Sequence, residues 1–436
     1  MSVLFIESAK VVFPNSMEVS NILVVDGVIA NIGLEKPPKN AKIIKASNLV
    51  LTAGGIDAHV HFNLQTANGL TADDFESGSQ AALAGGTLSV IDFITPKAQE
   101  DLHLAYEKRI KEVSNAVVNC GFHQSITHWD EHTAEQMKHA VEQDGISSFK
   151  TYLAYGKTIG IDAEVLEKVM RQAADLNALV LVHAENGALI DELLESNKSK
   201  KKSIAKIHKE THPDETELQA VKTVLALCEK TKCKTYIVHV STALSMQLIQ
   251  QAKKNGLPVF AETCPQYFLL NDSLYQGEES KAINYILSPP LRSEENRKGI
   301  SQAIEKGVVD TISTDHCSFS YAIKHQSDDY DKVPQGIGGV QYRIMLAYTH
   351  FVKENKMTWM QMMKLLAENP AQIFSLKNKG KIAVGYDADL VLWQELEEPV
   401  FISDLNLKTK SDFVSFENRK TSLLVKMIIK NGVLYE

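Results

Sequence analysis

The sequence predicts an α/β protein of the (β/α)8, TIM-like barrel class, with a small β-sandwich-like domain assembled from both chain ends. Eight short apolar runs recur along the middle of the chain. The segments between them carry helical spacing, and the two ends are instead rich in β-forming runs punctuated by turn residues.

The runs span residues 51–59, 87–95, 116–124, 146–153, 179–184, 235–240, 258–263 and 310–315. Strands that are apolar throughout, rather than alternating, are buried on both faces, as in a parallel sheet covered by helices. Between the runs, Ala163, Leu166, Val169, Met170, Ala173 and Ala174 share one helical face, and so do Leu218, Val221, Leu225 and Leu227. Eight such units in roughly 270 residues match one closed barrel. An open doubly wound sheet is the alternative that the same alternation allows. Residues 2–13, 22–32 and 42–46 near the start, and 388–393 and 423–435 near the finish, read as strands. Similar turns stand at Asp26-Gly27 and Asn431-Gly432. The expected division is therefore a β domain from residues 1–50 and 377–436, and a barrel from 51–376.

The chain has 436 residues, 44% hydrophobic and 23% charged, the balance of a soluble globular protein. Its apolar stretches are of strand length, so no membrane span is expected. The first residues include Glu7 and Lys10 and lack the basic-then-apolar order of a secretory signal, which makes the cytoplasm the expected location. A net charge of −8 gives no footprint for nucleic acid, and the local cluster Lys198, Lys200, Lys201 and Lys202 reads as a solvated loop or helix end. The five cysteines form no CxxC pair and read as reduced thiols rather than a disulfide framework or a thiolate metal site.

Chemistry enters with His59-Val60-His61. Period-two geometry at a strand end points both imidazoles to one side, yet chance supplies such a pair in about every second chain of this histidine content. Its context raises its weight. His183, His239 and Asp315 each end an apolar run, and Lys150 lies within another between Phe149 and Thr151. Catalytic residues of a (β/α)8 barrel project from the carboxyl ends of its strands. Four histidines and an aspartate converging from several strands suit zinc, with manganese, iron, cobalt or nickel as alternatives. A lysine among such cations would be repelled and costly to bury, so Lys150 needs a chemical explanation.

The chain resembles the dihydropyrimidinase/hydantoinase branch of the amidohydrolase superfamily, the cyclic amidohydrolases, over nearly its full length. The resemblance rests on Gly54-Gly55-Ile56-Asp57-Ala58-His59-Val60-His61, Ser148-Phe149-Lys150, His183-Ala184-Glu185-Asn186-Gly187 and Val238-His239-Val240-Ser241. Further matches are Glu262-Thr263-Cys264-Pro265-Gln266-Tyr267, Ser288-Pro289-Pro290-Leu291-Arg292 and Thr314-Asp315-His316-Cys317. It implies that CO2 carboxylates Lys150 and that the carbamate bridges two divalent metal ions. His59, His61 and Asp315 would complete one ion, His183 and His239 the other. It further implies that Asp315 is general base and then acid, that Tyr155 stabilises the oxyanion, and that Ser288 and Gln335 hold the substrate ring. Gln335 stands where the family usually has asparagine, and His212 where it commonly has arginine. A homo-oligomer, a tetramer in relatives, is implied too.

Within this resemblance, dihydroorotase-like members place an arginine just after HxH to grip a carboxylate. Phe62-Asn63-Leu64 stands there instead, which favours a less charged cyclic ureide or imide. Asn63 keeps an allantoinase-like reading open. A metal-free scaffold of the same fold is the rival from another class, disfavoured because every ligand position is intact. Leu64, Phe93, Tyr152 and Phe319 are expected either to line a pocket for the ring substituent or to be core.

Overall fold

The computed structural model describes residues 2–156, 158–197 and 202–435. Its strands are β1 (Val3–Val12), β2 (Met17–Val25), β3 (Val28–Ile32), β4 (Lys42–Lys45), β5 (Val50–Ala53), β6 (Gly55–Val60), β7 (Gln65–Thr66), β8 (Gly69–Leu70), β9 (Thr87–Ile94), β10 (Asn119–Ser125), β11 (Ser148–Tyr152), β12 (Leu179–His183), β13 (Lys234–Ile237), β14 (Val259–Thr263), β15 (Thr311–Ile312), β16 (Leu390–Phe401), β17 (Lys420–Lys430) and β18 (Val433–Tyr435).

Eight of them, in the order β15-β14-β13-β12-β11-β10-β9-β6, form one parallel sheet. A parallel bridge from Val60 to His316, supported by the His61 N–H donating to the His316 carbonyl at 2.8 Å, joins its two ends into a barrel. Every residue of β9 and of β12 is buried, as continuous apolar runs require when both faces are covered. The helix Ala163–Asp175 starts where the Asp162 side chain accepts from the Val165 N–H, and it buries Leu166, Val169, Met170 and Ala173 against the barrel. Ala58, Ile91, Phe93, Leu181, Tyr236, Val238 and Phe374 pack together as an apolar cluster contributed by several strands.

The chain ends build a separate eight-stranded sheet. β1 pairs antiparallel with β2 along one edge and parallel with β4 and then β5 along the other, around an irregularity between Ile6 and Ala9. β5 continues antiparallel onto β16, which carries β17 and β18. The run expected over 51–59 is thus divided. Val50–Ala53 belongs to the terminal sheet, and the barrel begins only at Gly55. The break falls at Gly54, whose N–H donates to the Asp389 carbonyl and where a Cβ would lie 2.6 Å from Leu88. The two similar turns meet: a Cβ on Gly27 would stand 3.0 Å from the Asn431 backbone, and both glycines have positive φ.

Lys198, Lys200 and Lys201 lie outside the described residues, while Lys202 pairs with Glu210. All five cysteines are free. Among the described residues, no helix is long and apolar enough to cross a membrane.

Candidate functional site

β6 delivers His59 near its end and His61 just past it, while Asp315 follows β15 and leans across the barrel mouth. Asp315 Oδ1 lies 3.2 Å from His59 Nε2 and 3.0 Å from His61 Nε2. Side chains of neighbouring strands hold this trio. The buried Asp57 carboxylate accepts from the His59 N–H, the Thr314 N–H and, at 2.7 Å, the Thr314 hydroxyl, which ties β6 to the segment carrying Asp315. Phe93 packs on both imidazoles, with ring centroids 4.7 and 4.8 Å away.

The second group comes from β12 and the end of β13. His183 Nδ1 and His239 Nε2 stand 2.9 Å apart, both side chains buried, and the opposite His183 nitrogen, Nε2, lies 3.0 Å from Glu185 Oε2. Burial, reinforced by His183, Lys150 and His59, drives the His239 pKa well below the ordinary histidine value. Burial does the same for His59, against the pull of Asp315. Both are therefore neutral imidazoles at physiological pH, the form that ligates metals. Two such nitrogens facing each other need a shared proton or a shared cation between them.

Lys150, in β11, is 1% exposed, with its Nζ 5.0 Å from the Phe93 ring centre and 5.1 Å from that of Tyr152. Burial pushes its pKa down to about 8, opposed by Asp315, Glu262 and Cys264. A neutral amine fraction at neutral pH is the species that can react with CO2.

Three residues of the region, Tyr155, His239 and Asp315, adopt positive φ of 62°, 38° and 52°. Non-glycine residues tolerate that conformation where surrounding structure imposes it, a condition that clusters at functional sites. Tyr155 is 37% exposed at the barrel mouth, with its ring centroid 5.1 Å from that of His183. Burial of the hydroxyl and the Glu185 carboxylate raise its pKa well above the ordinary tyrosine value, against a hydrogen bond with Ser288. It therefore stays protonated and able to donate.

Ser288 donates to Glu185 Oε2 at 2.9 Å, and Gln335 Nε2 lies 3.2 Å from the Tyr330 hydroxyl. Gln335 Oε1 is buried with no hydrogen-bond partner among the described residues. The Nζ of fully buried Lys324 holds both loops together, donating to the carbonyls of Ile286 at 2.5 Å and Pro334 at 3.0 Å.

Of the four apolar candidates, Phe93 and Tyr152 border the histidines and Lys150. Leu64 is half-buried, and Phe319 is fully buried core beside Lys324. Asn63 is drawn away from the histidines, its amide donating to Glu112 at 2.8 Å.

Two carboxylates that sequence reading left without a role support the imidazoles. Glu262 Oε1 accepts from His59 Nδ1 at 2.7 Å and from the His239 N–H at 3.0 Å, while Oε2 accepts from the Tyr236 hydroxyl at 2.8 Å. Glu185 does the corresponding work for His183. Each had a signal: Glu262 interrupts an apolar run near its carboxyl end, and Glu185 stands two residues after a strand-terminal histidine.

The donor set fits metal ions. His59 Nδ1 is committed to Glu262 and His183 Nε2 to Glu185, which leaves His59 Nε2, His61 Nε2 and Asp315 Oδ1 grouped within 4.8 Å of one another, and His183 Nδ1 facing His239 Nε2. A barrel with clustered histidines and a carboxylate at its strand ends places the protein among (β/α)8 proteins with a candidate metal centre.

Comparison with known proteins makes the assignment specific. The model of the Amidohydrolase family matches residues 50–434, and the chain belongs to that family. It is 33% identical over 423 residues to a D-hydantoinase of Geobacillus stearothermophilus, covering 96% of this chain and 89% of that protein. A Dihydropyrimidinase of Dictyostelium discoideum is 29% identical over 440 residues, covering 99% and 87%. Among solved structures, the dihydropyrimidinase from Brevibacillus agri NCHU1002 superposes with a TM-score of 0.95 at 29% identity, over 99% of this chain and 94% of that one.

Proposed function

We propose that the protein hydrolyses the endocyclic amide bond of a hydantoin- or dihydropyrimidine-type ring, giving an N-carbamoyl amino acid. Two divalent metal ions, zinc by ligand type, would be held by His59, His61, Asp315, His183 and His239, with a carboxylated Lys150 shared between them. The observation that carries this reading is the arrangement of two histidine pairs, in each of which one buried imidazole, His59 or His183, is braced by its own carboxylate, in a chain whose relatives are named D-hydantoinase and dihydropyrimidinase.

When bound, the metals polarise the scissile carbonyl and lower the pKa of an attacking water. Asp315 is the proton carrier. Its Oδ1 stands 3.2 Å from His59 Nε2 and 3.0 Å from His61 Nε2, where a bound cation would favour its ionised form. It is thus ionised and able to accept a proton from the attacking water, then return it to the departing ring nitrogen. Tyr155, kept protonated, donates to the oxygen on which negative charge develops. Ser288 and Gln335, on loops fastened by Lys324, hold the ring amide.

Asn63 is engaged by Glu112, and no arginine follows His61 closely in sequence. Both features favour a neutral ring over dihydroorotate and weaken the allantoinase-like alternative. Five unpaired cysteines fit a reducing, cytoplasmic setting, and a homotetramer follows from the resemblance. Ring opening of hydantoin, a 5-substituted hydantoin, dihydrouracil, allantoin and dihydroorotate by zinc- or manganese-loaded protein tests the reading. Turnover of hydantoin or dihydrouracil is expected; turnover of dihydroorotate alone would refute it.

A further inference from the structure

We propose that His103, His139 and Asp144 form a second metal site, separate from the histidine centre, which takes one divalent ion of the zinc type on the outer face of the barrel.

His103 lies in the helix Leu102–Lys111 that follows β9, and His139 in the helix Thr133–Glu142 that follows β10. Asp144 stands in the connection leading into β11, and therefore at the opposite end of that strand from the barrel mouth. The three offer ligand atoms that all lie within 4.8 Å of one another. His103 Nδ1 is 2.8 Å and His139 Nε2 3.9 Å from the same atom, Asp144 Oδ1, and the imidazoles sit edge to face at 4.7 Å between centroids. Zinc with bonds of about 2.0–2.1 Å sets tetrahedral ligand atoms about 3.3 Å apart. The observed spacings bracket that value, so small side-chain rotations bring the three into register.

Asp144 distinguishes this cluster from a chance pairing of surface histidines. Its side chain is only 4% exposed while those of His103 and His139 are 41% and 45% exposed, and its Oδ2 is buried without a hydrogen-bond partner among the described residues. A buried carboxylate with one unmatched oxygen is expensive unless a cation compensates it. Both imidazoles reach it from the solvent side, which leaves an ion a direct path of entry.

The arrangement also supplies an outer partner. Glu107 Oε1 lies 3.8 Å from His103 Nε2, so with Nδ1 on the ion the opposite N–H faces a carboxylate, which raises the basicity of the ligand. Two neutral imidazoles and one carboxylate suit zinc, nickel or copper(II) rather than magnesium or calcium. Water completes the coordination. An ion bound here clips two outer helices to each other and to the segment entering the strand that carries Lys150.

The test is zinc uptake by the full chain, by equilibrium dialysis at graded free zinc with atomic-emission counting. The parent should take up one zinc per chain more than the His103→Ala/His139→Ala double variant. Glu107→Gln should weaken that additional ion by about tenfold. Zinc should also raise the melting temperature of the parent by an increment that the double variant lacks. In chelator the double variant should melt slightly below the parent, because Asp144 loses its His103 partner, and an unchanged far-ultraviolet circular dichroism spectrum checks its fold. Uptake isotherms that coincide for parent and double variant would overturn the site.

Discussion

Glu262→Gln tests how far one buried carboxylate governs the histidine centre. Glu262 is fully buried and accepts three hydrogen bonds, from His59 Nδ1, the His239 N–H and the Tyr236 hydroxyl. Glutamine has nearly the same shape. With its carbonyl at the Oε1 position it keeps the first two donors, and its amide then faces Tyr236, whose hydroxyl can turn to Thr311 at 2.5 Å. The folded state should lose about 1 kcal/mol, the difference between charge-assisted and neutral hydrogen bonds. Metal binding should suffer more. Replacing a carboxylate behind a ligating histidine weakens affinity by about 10- to 100-fold, roughly 1.4 to 2.7 kcal/mol. Glu262→Ala would strand His59 Nδ1 and the His239 N–H at about 1–3 kcal/mol each, while the Tyr236 hydroxyl falls back on Thr311. The assay is zinc per chain after dialysis against graded chelator, with a thermal melt alongside. A glutamine variant that holds zinc within twofold of the parent would refute the reasoning.

Lys150→Ala should abolish both metal retention and ring opening, because the shared ligand is gone; zinc analysis and a rate measurement check this, and full activity would exclude a carboxylated lysine. Asp315→Asn should largely spare metal content but lower kcat by at least a hundredfold, read from steady-state kinetics at saturating metal, since the proton carrier is lost. Acid should destabilise the metal-free protein through Glu185: burial alone would raise its pKa, but His183, His212 and Arg292 bring it down to about 2. A depressed carboxylate contributes stability above its unfolded pKa near 4.5 and loses it as pH falls towards 2. The full contribution is about 3 kcal/mol, of which about 2 is lost between pH 5 and 3; denaturant melts over that range read the loss, which Glu185→Gln lacks.

The barrel was legible because most of its strands are buried on both faces and so carry largely apolar runs, and because several of them carry, at or near the carboxyl end, a histidine, lysine or aspartate that would be costly anywhere but at the mouth. The boundary at Val50–Ala53 was less legible. Apolarity is the same in a strand of the terminal sheet as in a barrel strand, and only the Gly54-Gly55 break separates β5 from β6. The run over 310–315 contains just two residues of regular strand, Thr311 and Ile312, and Asp315 beyond it has a positive φ. Glu262 was visible as a motif letter but not as a brace, because its hydrogen bond to His59 joins residues about two hundred positions apart, between β6 and β14. The cluster of His103, His139 and Asp144 shows no spacing signal, as its members come from two helices and a connection brought together only by the barrel's outer packing.

The terminal sheet also bears on the order of folding. β5 runs directly into β6, the strand that supplies both leading histidines, and it is clasped between β1 and β16. One neighbour precedes every barrel strand in the sequence, and the other follows all of them. The anchor beneath His59 and His61 is therefore unfinished until the last barrel strand has been made, so a nascent chain can hold a complete set of barrel strands whose first member still lacks its outer support. A strand made after the barrel thus sets when the histidines made before most of it become rigidly held.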